Sequence, residues 1–439
     1  MYRNEIKDLI EWKNSTIRKP LILRGARQVG KTWLCKEFGK THFRKCAYIN
    51  FEDNERMKDL FSMDYDIGRI ITGLQVETGI NIDSSDTLIV FDEVQEVPRA
   101  LTSLKYFYEN APQYFIIAAG SLLGIALHPD TSFPVGKVSF LNLYPLSFVE
   151  FVSSVENESL LIPLKNLDTD LITNFKSKYI DLLRKYYFVG GMPEVVSTFI
   201  ETKDYAIVRK IQETLLFSYE QDFSKHAPNE IVPRIRQLWH SISAQLAKEN
   251  RKFVYGIVKK GARGKDFEVA LQWLVDSGLI YKVNRISKPG IPLSAYKDSS
   301  AFKLFMVDIG LLSAISRLDF KTLLEGSRIF EEFKGALTEQ YVLQQLISSK
   351  KISPFYWSSE KGSAEVDFVF QKEAEIFPLE VKASENLQSK SLKSYYQKYL
   401  PKYSLRVSMS DFRMERWLIN IPLYSINILY DFLGNMVRG

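Results

Sequence analysis

Short apolar runs alternate with helical patterns over the first 150 residues of the chain. Runs of this length are typical of strands that are buried on both faces of a parallel sheet. The predicted strands are Leu21–Leu23, Ala47–Phe51, Leu88–Phe91, Phe115–Ala118 and Lys137–Leu141. This alternation predicts an α/β domain whose parallel sheet is covered by helices.

The pattern is mainly helical after residue 155 and returns to strands near the C-terminus. Residues 155–225 predict helices, and the sequence Gly-Gly-Met-Pro at 190–193 interrupts them. A long helix from Phe330 to Ser348 is predicted to precede three more strands. These strands lie near Pro354–Trp357, Glu365–Phe370 and Ile376–Val381.

The segment from 230 to 285 has the pattern of a winged helix. One helix is predicted to bury the apolar face made by Ile235, Leu238, Trp239, Ile242 and Leu246. A second helix, Phe267–Val275, leads into a strand at Leu279–Val283, which is the candidate wing. Basic residues precede that second helix at Lys259, Lys260, Arg263 and Lys265. A basic cluster at this position favours contact with phosphate groups. The alternatives are a protein-docking surface and an ordinary solvated loop.

Composition describes an ordinary globular protein with room for two to four domains. Of the 439 residues, 46% are hydrophobic, and 58 Lys and Arg against 52 Asp and Glu give a net charge of +6. This mild basic excess permits contact with nucleic acid but does not argue for it. Two cysteines and four histidines without clustering predict neither a disulfide framework nor a zinc site. With no signal-peptide core and no spanning apolar segment, we expect a cytoplasmic protein without membrane contact.

Residues 25–32 form a complete G-x-x-x-x-G-K-[ST] phosphate-binding loop between a predicted strand and a predicted helix. Its backbone N–H groups and the helix N-terminus favour phosphate oxygens. We expect Lys31 to reach the β- and γ-phosphates and Thr32 to bind Mg²⁺. The predicted nucleotide-binding residues are Gly25, Ala26, Arg27, Gln28, Val29, Gly30, Lys31 and Thr32.

Two carboxylates follow the third apolar run, at Asp92 and Glu93. One βαβ unit after a phosphate loop, this is the position of a Walker B element. Asp92 is expected to hold Mg²⁺, and Glu93 is expected to polarise the attacking water as general base. The pair therefore predicts hydrolysis of Mg-ATP as well as its binding.

The fourth apolar run ends at Gly120-Ser121. In P-loop ATPases of the AAA type, a polar side chain at this position often senses the γ-phosphate, so Ser121 is a candidate catalytic sensor. The alternative is that Ser121 caps the helix that begins after it.

Together, these motifs resemble a family of prokaryotic AAA-type ATP-binding proteins with a C-terminal domain of unknown function. The resemblance includes residues 143–148 (Leu-Tyr-Pro-Leu-Ser-Phe) and 190–194 (Gly-Gly-Met-Pro-Glu). It implies an α/β fold in which a parallel-sheet P-loop core precedes a helical lid, a winged-helix-like segment and a nuclease-like α/β domain. The expected boundaries are 1–154, 155–229, 230–315 and 316–439.

The resemblance also carries implications for single residues. In related ATPases a Gly-x-Pro in the lid lies near adenine, which corresponds to Gly191 and Pro193 here; a simple helix break is the alternative. Relatives usually have Gly-Arg before the strand leading to residue 143, where this chain has Gly136-Lys137. If that arginine is a finger in relatives, turnover here is expected to be slow, because lysine lacks the planar fork of donors.

Charged residues also interrupt the apolar C-terminal strands. Asp367 lies in one strand, and Glu380 and Lys382 lie two residues apart in the next, so that these two face the same side. This resembles the D…E-x-K arrangement of restriction-endonuclease-like folds, in which Glu339 of the preceding helix would add a ligand. Such a set suits Mg²⁺-assisted phosphodiester hydrolysis, whereas a structural Asp367–Lys382 ion pair in an inactive domain is the alternative.

The sequence therefore predicts an Mg-dependent ATPase whose hydrolysis drives a conformational switch. The switch would act on the C-terminal nuclease-like domain or on a macromolecular partner. The alternatives are a nuclease gated by ATP and a non-catalytic nucleotide-binding scaffold that recruits a protein. ATP and Mg²⁺ are the expected ligands, DNA or RNA is a candidate partner, and the oligomeric state stays open.

Overall fold

The computed structural model describes residues 1–120, 133–156, 158–247, 252–323, 331–359, 364–383 and 388–438. The chain divides into two compact units. The N-terminal unit contains residues 2–144 and 276–278, and the C-terminal unit contains residue 1 with residues 145–275 and 279–439. No described helix is both long and apolar enough to cross a membrane.

The N-terminal unit is the predicted α/β domain. Its elements are α1 Glu5–Asn14, β1 Leu21–Arg24, α2 Lys31–His42, β2 Lys45–Asn50, α3 Glu55–Met63, α4 Ile67–Thr78, β3 Thr87–Asp92, α5 Pro98–Asn110, β4 Phe115–Ala119 and β5 Ser139–Asn142. Within the described residues, the five strands form one sheet in the order β2-β3-β4-β1-β5, and all the neighbouring pairs are parallel. Each predicted strand is confirmed with its ends displaced by two residues or fewer.

The middle of this sheet is apolar on both faces. Every residue of β3 is buried, and its register sets Asn50 of β2 beside Asp92. Side chains of α3 and α5 pack on one face of the sheet, where the rings of Phe51, Phe61 and Phe91 meet edge to face with centroids 5.3–5.7 Å apart. Because the strands are parallel, the loop after β1 and the carboxyl end of β3 lie at the same edge.

The C-terminal unit begins with a helical region. Its helices are α6 Phe148–Val155, α7 Leu161–Asn166, α8 Thr169–Asn174, α9 Lys176–Val189, α10 Pro193–Thr202, α11 Tyr205–His226, α12 Val232–Ala247, α13 Tyr255–Val258 and α14 Gly264–Asp276. Local signals explain several ends. Ser147 and Glu150 form a capping box at the start of α6, α9 ends at Gly190 with a φ of +75°, and Pro193 opens α10. The predicted break at residues 190–193 is therefore confirmed.

A mixed sheet follows the helices. The elements are β6 Ile280–Ile286, β7 Lys297–Met306, α15 Ile309–Ile315, α16 Glu331–Ser348, β8 Phe355–Ser358, β9 Glu365–Lys372, β10 Glu375–Val381, α17 Lys390–Tyr399, β11 Ser404–Ser408, β12 Arg413–Met414, β13 Leu418–Pro422 and α18 Leu429–Arg438. In the described part of the chain, the sheet has eight strands in the order β12-β13-β11-β10-β9-β8-β6-β7.

The strand predicted as a wing belongs to this same sheet. β6 pairs with β7 in antiparallel fashion on one side and with β8 in parallel fashion on the other. The hairpin is thus continuous with the strands of the C-terminal region. The winged-helix interpretation and the finer boundaries after residues 154, 229 and 315 stay predictions.

Candidate functional site

The phosphate-binding loop joins β1 to α2 at the carboxyl edge of the parallel sheet. A left-handed backbone at Gly30, with a φ of +94°, leads directly into α2, and Gln28 has a φ of +64°. A Cβ atom on Gly25 would collide with the backbone carbonyl of Leu143. The loop therefore needs glycine at its first position for space and at Gly30 for conformation.

Lys31 is folded back onto its own loop. Its Nζ donates hydrogen bonds to the carbonyl oxygens of Gly25, at 3.0 Å, and Ala26, at 2.8 Å. Burial lowers the pKa of Lys31 from 10.5 to about 8, although the carboxylates of Glu93 and Asp92 act in the opposite direction. The ammonium is thus held in the loop by carbonyls that phosphate oxygens can replace.

Asp92 links the phosphate loop to two neighbouring elements. Its Oδ2 accepts hydrogen bonds from the hydroxyl groups of Thr32 and Tyr48, each at 2.7 Å. Its Oδ1 accepts a hydrogen bond from the backbone N–H of Glu93 at 3.1 Å. A hydroxyl and a carboxylate are hard oxygen donors, so Thr32 and Asp92 fit a magnesium ion as the sequence suggests.

Glu93 lies immediately beyond the strand in a left-handed conformation with a φ of +50°. Such a backbone is uncommon for a residue with a side chain and recurs at functional positions. The amide of Gln95 donates a hydrogen bond of 2.6 Å to Glu93 Oε2. The carboxylate of the candidate base is therefore held by a side chain two residues further along.

The remaining predicted residues of the nucleotide site have different surroundings. Val29 is buried, Arg27 is half-buried, and Ser121 lies outside the described residues. Lys137, which replaces the arginine of relatives, pairs with Glu109 at 2.9 Å and keeps 37% of its side chain exposed. In this structure Lys137 therefore has the environment of a solvated charge in a surface ion pair.

Gly191 and Pro193 lie in the C-terminal unit. The N–H of Gly191 donates to Oδ2 of the buried Asp308 at 2.7 Å, and its carbonyl accepts from the N–H of Leu146. A Cβ on Gly191 would collide with the backbone of Leu146. These contacts give the glycine a packing role, whereas contact with adenine stays a prediction.

A second group of predicted residues lines a cavity of about 420 Å³ in the C-terminal unit. The cavity contains all four side chains of the predicted nuclease site: Glu339, Asp367, Glu380 and Lys382. Antiparallel pairing sets Phe368 of β9 opposite Leu379 of β10, so the next positions along the two strands are Asp367 and Glu380. The sheet register thus brings together carboxylates that are 13 positions apart in the chain.

Hydrogen bonds fix part of this cluster. Oδ2 of Asp367 accepts a bond of 2.7 Å from the N–H of Val381, and Lys382 Nζ lies 3.2 Å from Glu380 Oε1. Glu380 is 4% exposed, and its Oε2 has no hydrogen-bond partner in the described part of the chain. Burial and the neighbouring Glu339 raise the pKa of Asp367 well above its usual range. A buried, unpaired carboxylate oxygen fits a cation between Asp367 and Glu380.

Four further residues at the two sites were not anticipated. Tyr48 lies on β2 and Gln95 in the turn after β3, whereas Lys303 and Glu365 line the cavity. The sequence could have indicated a role for Lys303, because a lysine within the apolar run at 301–307 needs a buried partner. No sequence pattern indicates Tyr48, since its approach to Asp92 depends on β2 lying next to β3.

The predicted basic cluster near α14 is at the surface. Lys259, Lys260, Arg263 and Lys265 are all exposed around the turn between α13 and α14. Exposure suits both a solvated turn and a phosphate-binding surface. Contact with nucleic acid through these residues therefore stays a prediction.

Three parts of the chain match protein families. Residues 17–152 match a family described as "AAA domain", residues 180–322 match "Domain of unknown function (DUF8612)" and residues 334–425 match "Domain of unknown function (DUF4143)". The first match covers the phosphate loop, Asp92 and Glu93 and supports a P-loop ATPase domain of the AAA type. Among curated proteins, none matches this sequence.

Solved structures with a partial likeness to this chain include the following three proteins. The Walker-type ATPase paby2304 of Pyrococcus abyssi is 16% identical, with 72% of this chain and 95% of that chain covered and a TM-score of 0.44. The Orc1 protein of Aeropyrum pernix, solved in complex with DNA, is 12% identical, with 73% and 93% covered and a TM-score of 0.28. Cdc6p of Pyrobaculum aerophilum is 11% identical, with the same coverage and a TM-score of 0.24. At these TM-scores the likenesses say nothing about what this chain binds.

Proposed function

We propose that the N-terminal unit binds and hydrolyses Mg-ATP, and that hydrolysis drives a conformational switch. The switch acts on the C-terminal nuclease-like domain or on a macromolecular partner. The observation that carries this proposal is the hydrogen bond between Thr32 and Asp92, with Lys31 and Glu93 on either side. The AAA-domain match over the same residues supports it.

Each residue of the candidate nucleotide site has a separate role in hydrolysis. Lys31 exchanges the carbonyls of Gly25 and Ala26 for β- and γ-phosphate oxygens when ATP enters. Thr32 and Asp92 would hold a magnesium ion, which would neutralise charge on the phosphates. Glu93, held by Gln95, accepts a proton from the attacking water. The oxygen of that water bonds to the γ-phosphorus as the bond from this phosphorus to the bridging oxygen of ADP breaks, and the contacts of the γ-phosphate with the loop are lost when phosphate departs.

Two substitutions test the ATPase. Lys31→Ala should abolish ATP binding and turnover, whereas Lys40→Ala, an exposed lysine on the same helix, should leave both unchanged. Glu93→Gln should bind ATP but turn it over slowly. Unchanged phosphate release in Lys31→Ala, or rapid turnover in Glu93→Gln, would contradict the assigned roles.

A second candidate function is cleavage of nucleic acid in the C-terminal cavity. The observation that favours it is the joint presence of Asp367, Glu380 and Lys382, with one buried oxygen of Glu380 lacking a hydrogen-bond partner among the residues that the structure describes. Asp367 and Glu380 would hold a magnesium ion, and Lys382 would orient the water that attacks the phosphodiester. The oxygen of that water would bond to phosphorus as the bond to the leaving oxygen breaks, and the leaving oxygen would take a proton from solvent water and depart as an alcohol.

Cleavage is tested by incubating the full chain with DNA or RNA and Mg²⁺ or Mn²⁺, with and without ATP. Glu380→Gln should remove cleavage, whereas Glu375→Gln, on the same strand outside the cavity, should retain it. Cleavage that changes with ATP supports gating. If wild-type protein binds ATP but neither hydrolyses it nor cuts nucleic acid, a nucleotide-binding scaffold is the better description.

A further inference from the structure

A lysine from β7 enters the carboxylate cavity of the C-terminal unit. Lys303 is 7% exposed and lies in an otherwise apolar strand segment. Its Nζ is 2.5 Å from Glu365 Oε1 and 3.2 Å from Glu339 Oε2. The protein therefore places a fixed positive charge between two carboxylates that belong to β9 and α16.

The ammonium group of Lys303 is stable in this position. Burial alone lowers the pKa of Lys303, but Glu339, Glu365 and Asp367 outweigh this effect and raise the pKa above its ordinary value. The two ion pairs, with Glu365 at 2.5 Å and Glu339 at 3.2 Å, favour the charged form of Lys303. Two carboxylates and one ammonium within contact distance form a compact ionic cluster that needs no added cation.

The other end of the cavity holds the carboxylate of Glu380, whose two oxygens differ in their contacts. Glu380 is almost fully buried, and one of its oxygens has no hydrogen-bond partner among the described residues. Lys382 contacts only the other oxygen and keeps a third of its side chain exposed. A buried carboxylate oxygen without a partner carries a large desolvation cost, which a bound cation would remove.

We propose that this cavity is a one-cation centre. It binds a single divalent cation at Asp367 and Glu380, and the ammonium of Lys303 fills the position beside Glu339 and Glu365 that a second cation would take. This inference rests on the nuclease function proposed above for the same cavity, and it specifies how many metal ions that function uses. Sites that bind two metal ions hold them about 3.5–4 Å apart. In this cavity, the ammonium of Lys303 supplies the second positive charge.

The structure explains why an ion would not displace this lysine easily. Lys303 is anchored in β7, whose pairing with β6 continues on both sides of it, from Asn284 and Phe302 to Ile280 and Met306. The ammonium therefore stays next to its carboxylates without the entropy cost of capturing a free ion. Removing it leaves two partly buried carboxylates, Glu339 and Glu365, without the ammonium that they share, and such a pair attracts cations.

Counting bound Mn²⁺ tests the inference. Nucleotide-free full-length protein is titrated with Mn²⁺ alone, and free Mn²⁺ is measured by electron paramagnetic resonance. Lys303→Met should bind one more Mn²⁺ per chain than wild type, whereas Lys303→Met combined with Glu339→Gln should return to the wild-type number. Lys252→Met, which removes a charge from the same cavity but none between these carboxylates, should also match wild type. Ions bound at Thr32 and Asp92 contribute equally to every variant.

The two proposals fail in different ways. If Lys303→Met binds no more Mn²⁺ than wild type, Lys303 does not occupy a cation position. If Asp367→Ala binds as many ions as wild type, the cation expected for nuclease chemistry is absent. Thermal melts provide a second measurement in case Lys303→Met folds poorly. Mn²⁺ should raise the Tm of Lys303→Met by several degrees more than that of wild type, and an equal rise overturns the inference.

Discussion

The side-chain amide of Gln95 donates a hydrogen bond of 2.6 Å to Glu93 Oε2, in a turn where Glu93 itself has a φ of +50°. The turn aims the carboxylate, and the amide fixes its orientation. General-base catalysis depends on such positioning, because the base must reach the proton of the attacking water. In the proposed ATPase reaction, Gln95 is therefore a positioning residue.

Gln95→Leu should lower kcat for ATP by about tenfold while leaving KM nearly unchanged, because the interaction acts on the base and not on bound nucleotide. Steady-state phosphate release measures both constants. Gln113→Leu, an exposed glutamine in the turn before β4, is the matched control and should behave as wild type. A rise in KM with constant kcat would mean that Gln95 contributes to ATP binding instead.

The lowered pKa of Lys31 predicts that ATP affinity depends on pH. Burial lowers this pKa to about 8, against the raising effects of Glu93 and Asp92; Arg27 and Cys35 act more weakly in opposite directions. Above pH 8 the lysine loses its proton, so affinity should fall by up to about tenfold per pH unit. Equilibrium titration at pH 7, 8 and 9 measures this, and Lys31→Met should bind weakly at every pH.

The same pKa has the opposite effect on stability. Between about pH 8 and the ordinary lysine pKa of 10.5, the unfolded chain holds a proton at residue 31 that the folded chain has released. The free energy of unfolding therefore gains a contribution from Lys31 that rises with pH across this window. Denaturant melts of wild type and Lys31→Met should diverge there, and parallel curves would contradict the lowered pKa.

Gly191→Ala should destabilise the C-terminal unit by about 1–3 kcal/mol, because the new methyl group collides with the backbone of Leu146. Gly335→Ala in α16 is the control; no atom of the described residues lies within 4 Å of its added Cβ, and the substitution should stabilise by about 0.5–1 kcal/mol. Thermal and denaturant melts measure both. If Gly191→Ala instead weakens ATP binding at an unchanged Tm, contact of this glycine with adenine gains support.

Asp367→Asn should separate the two proposed activities, ATP hydrolysis and cleavage of nucleic acid. The substitution keeps the shape of the side chain and its capacity to accept the hydrogen bond from Val381, but removes the charge. Cleavage of nucleic acid should fall by about a hundredfold or more through lost cation binding. ATP turnover without nucleic acid should be unchanged. Equal loss of both activities would point to general misfolding, which circular dichroism would reveal.

Local patterns in the sequence were sufficient for most of the parallel sheet. The central strands β1, β3 and β4 are short apolar runs, and burial on both faces makes that signal strong. The second sheet was harder to read. β7 begins with the polar residues 297–300, and β11 contains the buried Arg406, whose guanidinium donates hydrogen bonds to Asn420 and Ser389. Sequence patterns do not show such long-range pairing, so β7 and β11–β13 were not predicted.

The sequence by itself determined the candidate nucleotide site, since the phosphate loop is one continuous segment and Asp92 and Glu93 lie at the end of an apolar strand. Only the tertiary structure decided which side chains from distant parts of the sequence come into contact at the two sites. Tyr48 meets Asp92 because β2 lies next to β3, and Lys303 reaches Glu365 across 62 positions of chain because β7 and β9 belong to one sheet. Residue spacing encodes local conformation, whereas strand order and register set the contacts between distant segments.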